Sequence, residues 1–276
     1  MKRQFRLILL ALQFLTRLPL PADPDFEPSR LRACASYFPL AGAVIGAWAA
    51  LVLVLALRLW PPLVAAALSL AATVWLTGAL HEDGLADTAD ALGSRVSRER
   101  ALDIMKDSRI GSYAAVAVGL ALALRIACMT ELAQPAGAAA WAVPALIGAH
   151  AQSRAAPVWI MGRLPYAADA SRAKAAALAQ RLRGGTLAAA LAWGVAWSVA
   201  SASAAAWLGA CSWGDALGLA ATGLAAVAAV TLLAQRWLDA RLGGFTGDTL
   251  GAVQQGVEIV GLLVWLAWLP AAPIRS

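Results

Sequence analysis

Ala33-Cys-Ala-Ser-Tyr-Phe-Pro-Leu-Ala-Gly-Ala-Val-Ile-Gly-Ala-Trp-Ala-Ala-Leu-Val-Leu-Val-Leu-Ala-Leu57 runs for 25 residues without a charged side chain. About 20 apolar residues in a helix cross the hydrocarbon core of a bilayer, so this stretch predicts a membrane span. Six further windows have the same character, broken only by isolated polar residues: 63–80, 113–130, 138–162, 187–208, 215–235 and 250–269. The expected fold is therefore all-α, a polytopic membrane helical bundle of about seven transmembrane helices. The Ala, Gly and Ser content of the windows suits close approach of helices in lipid.

Composition agrees. Of 276 residues, 61% are hydrophobic and 14% charged, where a soluble domain carries roughly 25% charge. Mean hydropathy is +0.69. The apolar content excludes disorder, and three scattered cysteines, Cys34, Cys128 and Cys211, exclude a disulfide scaffold. One integral-membrane domain over residues 1–276 is expected.

Charge placement orients the bundle. Of 22 Lys and Arg, 18 lie in the N-terminal segment and the loops 81–112, 163–186 and 236–249, all on one side of a seven-span arrangement. Arg58 and Arg275 lie on the other side, and Arg125 and Arg154 fall within spans. Positive residues mark the cytoplasmic face. The expected location is a bacterial plasma (inner) membrane, with the N-terminus and long loops in the cytoplasm and no nucleic-acid partner. Trp60, Trp141, Trp207, Trp213 and Trp268 fall near outer ends, where an aromatic belt sits. Lys2, Arg3 and Arg6 precede the apolar run 7–15 without a small-residue cleavage site. The run is too short to span and predicts a retained helix at the interface.

The chemistry concentrates in three cytoplasmic stretches. His81-Glu-Asp-Gly-Leu-Ala-Asp-Thr-Ala-Asp90 holds four acids. In a helix, Asp83, Asp87 and Asp90 share a stripe at i, i+4 and i+7, with Glu82 about 100° away from Asp83. Like charges on one stripe call for a cation, and carboxylates beside phosphates suit Mg²⁺. The plain alternative is a solvated acidic face, although no Lys or Arg lies between Glu82 and Asp90 to neutralise it. His81 is a candidate proton shuttle or a structural residue. Met105-Lys-Asp-Ser-Arg-Ile-Gly111 supplies Lys106, Ser108 and Arg109 as phosphate-binding candidates, and Gly111 opens a helix whose N–H groups favour anions. Leu242-Gly-Gly-Phe-Thr-Gly-Asp-Thr-Leu-Gly-Ala252 carries Asp248 among glycines, as a metal ligand or a plain N-cap. Two charges lie deep: Arg154 and Glu258, each about eight residues, or roughly 12 Å, from the cytoplasmic end of its span. Equal depth and opposite sign predict a pair. Arg125 is expected to snorkel outward.

These stretches also carry a resemblance. Phe14-Leu-Thr-Arg-Leu-Pro19, Phe38-Pro-Leu-Ala-Gly42 with Gly46, the acidic motif 81–90, Ile104-Met-Lys-Asp-Ser-Arg-Ile-Gly111, Ser153-Arg154, and the motif 243–252 with Glu258 resemble the cobalamin synthase (adenosylcobinamide-GDP ribazoletransferase) family over about residues 13 to 260. Ala114 departs from a common family glycine. The resemblance implies Mg²⁺-dependent transfer of the adenosylcobinamide phosphate group of adenosylcobinamide-GDP to α-ribazole or its 5′-phosphate, releasing GMP. Asp83, Asp87, Asp90 and Asp248 are then the expected metal set. Asp83, Asp87 and His81 are the candidates for catalysis, and Lys106, Ser108, Arg109, Arg154 and Arg17 those for phosphate. Partners would be these small molecules, membrane lipid, and further copies of the chain or other corrinoid-pathway enzymes.

Two other classes compete. A CDP-alcohol phosphotransferase-like lipid enzyme shares the Asp-Gly acidic helix, but its pattern needs an Asp where Leu80 stands. A transporter would place its acids near the midplane of broken helices, whereas most of these lie at cytoplasmic ends.

Overall fold

The computed structural model describes residues 2–21, 27–134, 138–168, 182 and 184–269. Arg172, Lys174, Arg181, Arg183 and Arg275, which entered the charge count, lie outside the described residues.

The regular elements among the described residues are all helices, as expected. Helices α1 (Lys2–Leu15) and α2 (Pro28–Cys34) lead through a 3-10 turn into α3 (Phe38–Ala56). There follow α4 (Pro62–Thr77), α5 (Leu80–Leu92), α6 (Arg98–Ile104) and α7 (Ser112–Leu132). The last four are α8 (Ala138–Arg163), α9 (Gly184–Trp207), α10 (Trp213–Leu242) and α11 (Gly247–Ala267). Among the described residues, five segments are long and apolar enough to cross a membrane: 29–56, α7, α9, α10 and α11. The bent pair α4–α5 makes a sixth.

The seventh expected span corresponds to α8. Its 26 residues would reach about 39 Å, but its middle holds His150, Gln152, Ser153 and Arg154, all buried. It is the inner helix, packed against α3, α9 and α11, so its polar side chains meet protein instead of lipid. Small residues permit this. A Cβ added at Gly42 would lie 2.2 Å from the His150 carbonyl oxygen, and one at Gly46 would lie 2.6 Å from that of Leu146. Glycines four apart thus let α3 rest directly on the backbone of α8.

Helix α1 turns most of its apolar side inward: Leu7, Leu10, Ala11 and Leu15 are buried in the core shared with α2 and α3. Phe14 stacks on Phe38 with centroids 5.5 Å apart. The expected interfacial helix is therefore docked on the bundle by its apolar face. Trp141, expected in a belt, is 4% exposed and packs edge-on against Trp265. Trp60, Trp207 and Trp213 are exposed.

Helices α4 and α5 meet at 88°. Gly78 and Ala79 take left-handed backbone angles at the elbow, with φ of 68° and 58°. Glycine adopts this freely, while alanine there costs about 1 kcal/mol. The elbow turns the acidic segment away from α4 and lays it against α7 and α11.

Candidate active site

The acidic stretch forms α5, as the spacing predicts. Its middle is seated on the head of α11. A Cβ at Gly84 would lie 2.6 Å from the Asp248 carbonyl oxygen, 3.1 Å from its Cα and 3.2 Å from the Cα of Gly251. Two motifs 164 residues apart in sequence, counted from Gly84 to Asp248, thus touch backbone to backbone. Asp83 and Asp87 flank Gly84 on one side of the helix. Asp83 is exposed and Asp87 half-buried.

Asp248 is not the cap of α11. Thr246 occupies that position: its hydroxyl accepts from the Thr249 backbone N–H at 3.2 Å, and the Thr249 hydroxyl accepts from the Thr246 N–H at 2.9 Å. This reciprocal pairing satisfies the helix terminus locally. Asp248 stands in the first turn, half-buried, and the N-cap position belongs to Thr246.

Asp90, one of the expected metal ligands, is engaged by the backbone of α7. Its carboxylate accepts from the Gly111 N–H at 2.6 Å and from the Ala114 N–H at 2.9 Å. It serves as the anion at the N-terminus of α7, a favourable place for negative charge. The anion-binding terminus read at Gly111 is real, but it is filled by the protein's own carboxylate. Asp90 thus ties α5 to α7, while Asp83 and Asp87 flank the glycine that is seated on the α11 motif.

The loops around this contact are clamped together. Arg98 donates to the carbonyls of Leu242 and Ala167 at 2.6 and 2.8 Å. Arg241 donates to those of Leu92 and Ser94 at 3.2 and 2.8 Å. These arginines cap the C-termini of α10 and α5, where positive charge is favoured. The Phe245 N–H donates to the Pro165 carbonyl and the Ala167 N–H to the Phe245 carbonyl. Tyr166 packs edge-on against Phe245 at 5.5 Å. Burial raises the Tyr166 phenol pKa, and the Asp248 charge raises it further. Tyr166 is a neighbour of the site that sequence reasoning did not single out, because an isolated Tyr after a span carries no pattern.

Lys106 and Arg109 lie on the loop between α6 and α7, which reaches the same place: the Thr246 hydroxyl points at the Met105 sulfur at 3.6 Å. Lys106 pairs with Asp103 at 3.2 Å and Arg109 with Asp107 at 2.5 Å. Arg109 holds the Asp107 carboxyl down at about 2. Both pairs are exposed, so either cation can exchange its partner for a phosphate at little cost. Ser108 is exposed on the same loop. Arg17 is displaced from it: its backbone N–H donates to the Leu76 carbonyl and its guanidinium covers Gly78, so it braces the elbow.

His81 and Arg154 are removed from the surface chemistry by burial, at 5% and 3% exposure. The carbonyl of His81 lies where a Cβ on Gly251 would come within 3.3 Å, so this turn of α5 is packed on α11. Arg154 meets Glu258 at 2.6 Å, the expected pair, and that carboxylate also accepts from Gln254 at 2.6 Å. Arg125 does not snorkel. It is 3% exposed and pairs with Glu258 at 2.6 Å and with Glu82 at 2.8 Å. Glu82 does leave the Asp83 stripe as the helix wheel requires, but it turns into the bundle, not into solvent.

Among the described residues, no three Asp, Glu, His or Cys side chains converge as a self-contained metal cage. Mg²⁺ is commonly held by one or two carboxylates with substrate phosphates completing its shell, and Asp83, Asp87 and Asp248 are acids of that kind. The donor set does not fit a structural zinc.

A family model described as cobalamin-5-phosphate synthase matches residues 7–266. The chain is similar to proteins named adenosylcobinamide-GDP ribazoletransferase from several bacteria. It is 52% identical over 263 residues to that of Leptothrix cholodnii, covering 95% of each chain. It is 40% identical over 271 residues to that of Shewanella amazonensis, covering 96% of each. It is 38% identical over 269 residues to that of Vibrio cholerae, covering 98% of this chain and 96% of the relative. No solved structure matches it.

Proposed function

The chain belongs to the cobalamin-5-phosphate synthase family, and from that premise we propose that it is a membrane-embedded adenosylcobinamide-GDP ribazoletransferase. A ribose hydroxyl of α-ribazole or its 5′-phosphate attacks the phosphorus that bears the cobinamide. The new O–P bond forms as the bond to GMP breaks. The proton of the hydroxyl passes to a base, and GMP leaves with the electron pair.

The observation that carries the reading is the seat of Asp248 on Gly84. It sets acids from two motifs beside a loop with exchangeable cations, the components that phosphoryl transfer requires. Mg²⁺ would be held by one or two of the carboxylates of Asp83, Asp87 and Asp248 together with the substrate's phosphates, and when bound it would neutralise charge on the diphosphate. Lys106 and Arg109 would hold the outer phosphate oxygens, with Ser108 as a hydrogen-bond donor. Asp83, the exposed acid, is placed to orient the hydroxyl and accept its proton. The resulting reaction runs at the cytoplasmic face of the inner membrane, the side to which the charge distribution assigns these loops.

The test is GMP release by the purified protein in nanodiscs, with adenosylcobinamide-GDP and defined acceptors, with and without Mg²⁺. Metal-dependent GMP release matched by corrinoid product is expected. Release without metal would overturn the Mg²⁺ assignment, and no release with either acceptor would overturn the reaction.

A further inference from the structure

Helix α5 lacks a cap of its own. Its N-cap residue is Ala79, whose side chain makes no hydrogen bond. The helices α10 and α11 each carry a full capping box. The far end of α5 is secured by Asp90 on α7 and by Arg241 on the carbonyls of Leu92 and Ser94. The near end follows directly on the left-handed elbow. Arg17 braces the elbow and His81 packs on Gly251, and the charged side chain that ties this end to α7 and α11 is Glu82. It pairs with Arg125 of α7 at 2.8 Å and accepts from Gln255 of α11 at 3.2 Å.

Those two partners belong to a network buried between four helices. Arg125 also meets Glu258 at 2.6 Å. Glu258 meets Arg154 at 2.6 Å and His150 at 2.9 Å, both on α8. Gln254 bridges to Ser153 at 3.0 Å. Side-chain exposure along Arg125, Glu258 and Arg154 is 4%, 1% and 3%. Two carboxylates balance two guanidiniums. Arg125 is the joint, since its guanidinium alone reaches both acids. A planar fork suits this and a lysine does not.

We infer that Arg125, acting through Glu82, is the positioning residue that fixes the register of α5 against α11, and so sets Asp83 and Asp87 opposite Asp248. This rests on the metal-and-phosphate reading of that face. Glu82 is one residue from Asp83 and about 100° from it around the helix, so an ion pair on the buried flank of α5 sets the rotation of the helix and with it the direction of Asp83 and Asp87. Arg125 itself lies thirteen residues beyond the start of α7 at Ser112, roughly 20 Å along the helix, and touches the reacting groups only through Glu82.

The experiment compares Glu82→Ala, Glu82→Gln and Arg125→Lys with wild type in nanodiscs, using two readouts besides turnover. Hydrogen exchange is followed over residues 80–92 and over 140–160 of α8, and binding of Mn²⁺ alone is titrated by its spin-resonance signal. Glu82→Ala should raise exchange over 80–92 at least tenfold while 140–160 stays within twofold. It should weaken Mn²⁺ binding at least tenfold, with Glu82→Gln intermediate. Arg125→Lys should loosen 80–92 in the same selective way, and it decides the matter if Glu82→Ala fails to fold. Equal loosening of both segments would reduce the pair to general stability and overturn the inference. Unchanged exchange over 80–92, or unchanged Mn²⁺ affinity beside a loosened α5, would overturn it too. Wild type that binds Mn²⁺ yet releases no GMP would refute the reaction and leave these readouts to judge Arg125.

Discussion

Replacing Gly84 by alanine tests the α5–α11 contact with one methyl group. The added carbon would stand 2.6 Å from the Asp248 carbonyl oxygen, where ordinary contacts begin near 3.4 Å. The opposing atoms are backbone, so no rotamer change relieves the clash. The helices must separate or slide by about 0.8 Å, the gap between those two distances. Overpacking of this kind costs about 1–3 kcal/mol, less roughly 0.5–1 kcal/mol regained because alanine is the better helix former. The net loss of stability is small, and the protein should still fold. Catalysis should suffer more, because a displacement near 1 Å in a positioned site costs about 100-fold. The assay is GMP release under saturating substrate, with thermal unfolding measured on the same preparation. Gly256→Ala, in α11, meets nothing within 4 Å and should retain wild-type turnover. Gly84→Ala with kcat within twofold of wild type would refute the claim that the two motifs form one site across this contact.

Asp248→Asn should abolish turnover while leaving stability within about 0.5 kcal/mol, whereas Thr246→Ala should cost about 1 kcal/mol as a lost cap and keep most activity; melting curves beside GMP release separate the two. Asp90→Ala should lower stability by about 1–2 kcal/mol, as for a lost charged cap, and its residual turnover should not depend more steeply on Mg²⁺ than that of wild type. Arg154→Met or Glu258→Gln alone should cost about 3–5 kcal/mol by stranding a buried charge, and a double-mutant cycle should return coupling above about 1 kcal/mol; additive losses would contradict the pair. Reporter fusions within residues 163–186 and after Ser276 should give opposite sidedness, and equal readings would refute the charge-based topology.

The spans were legible because burial in lipid is a local property: a run such as 38–56 is apolar whatever it packs against. Helix α8 shows the limit. Its window was recognised by length, although Arg154 and its polar neighbours lower its hydropathy, and only the packed structure shows that it is surrounded by protein. The pair Arg154–Glu258 could be read from equal depth and opposite sign, since an unpartnered charge at that depth is costly. Arg125 was misread because depth was counted along its own helix from the nearer end. The helix wheel sets its partner Glu82 apart from Asp83 without saying what it meets, and the elbow at Gly78–Ala79 that turns Glu82 inward leaves little trace in the sequence beyond one glycine.

The candidate site was legible in its residue types and not in their division of labour. Helical spacing puts Asp83, Asp87 and Asp90 on one stripe and cannot say what stands opposite each. Gly111 stands opposite Asp90 and turns that acid into a helix cap, while the α11 backbone stands opposite Gly84. Asp248 shows the converse: next to a helix start it reads as a cap, but Thr246 and Thr249 already satisfy those N–H groups between themselves. In each case the role is decided by which hydrogen-bond donors are already taken, and that is a property of pairs far apart in sequence. The glycines were the more informative letters. Gly84 sits between two acids where a helix would be steadier with alanine, and Gly251 sits where α11 would be too. Two such costs in facing helices have one common explanation in the 3.2 Å between the Gly251 Cα and the place a Gly84 Cβ would take: the backbones of the two acidic motifs are kept in direct contact.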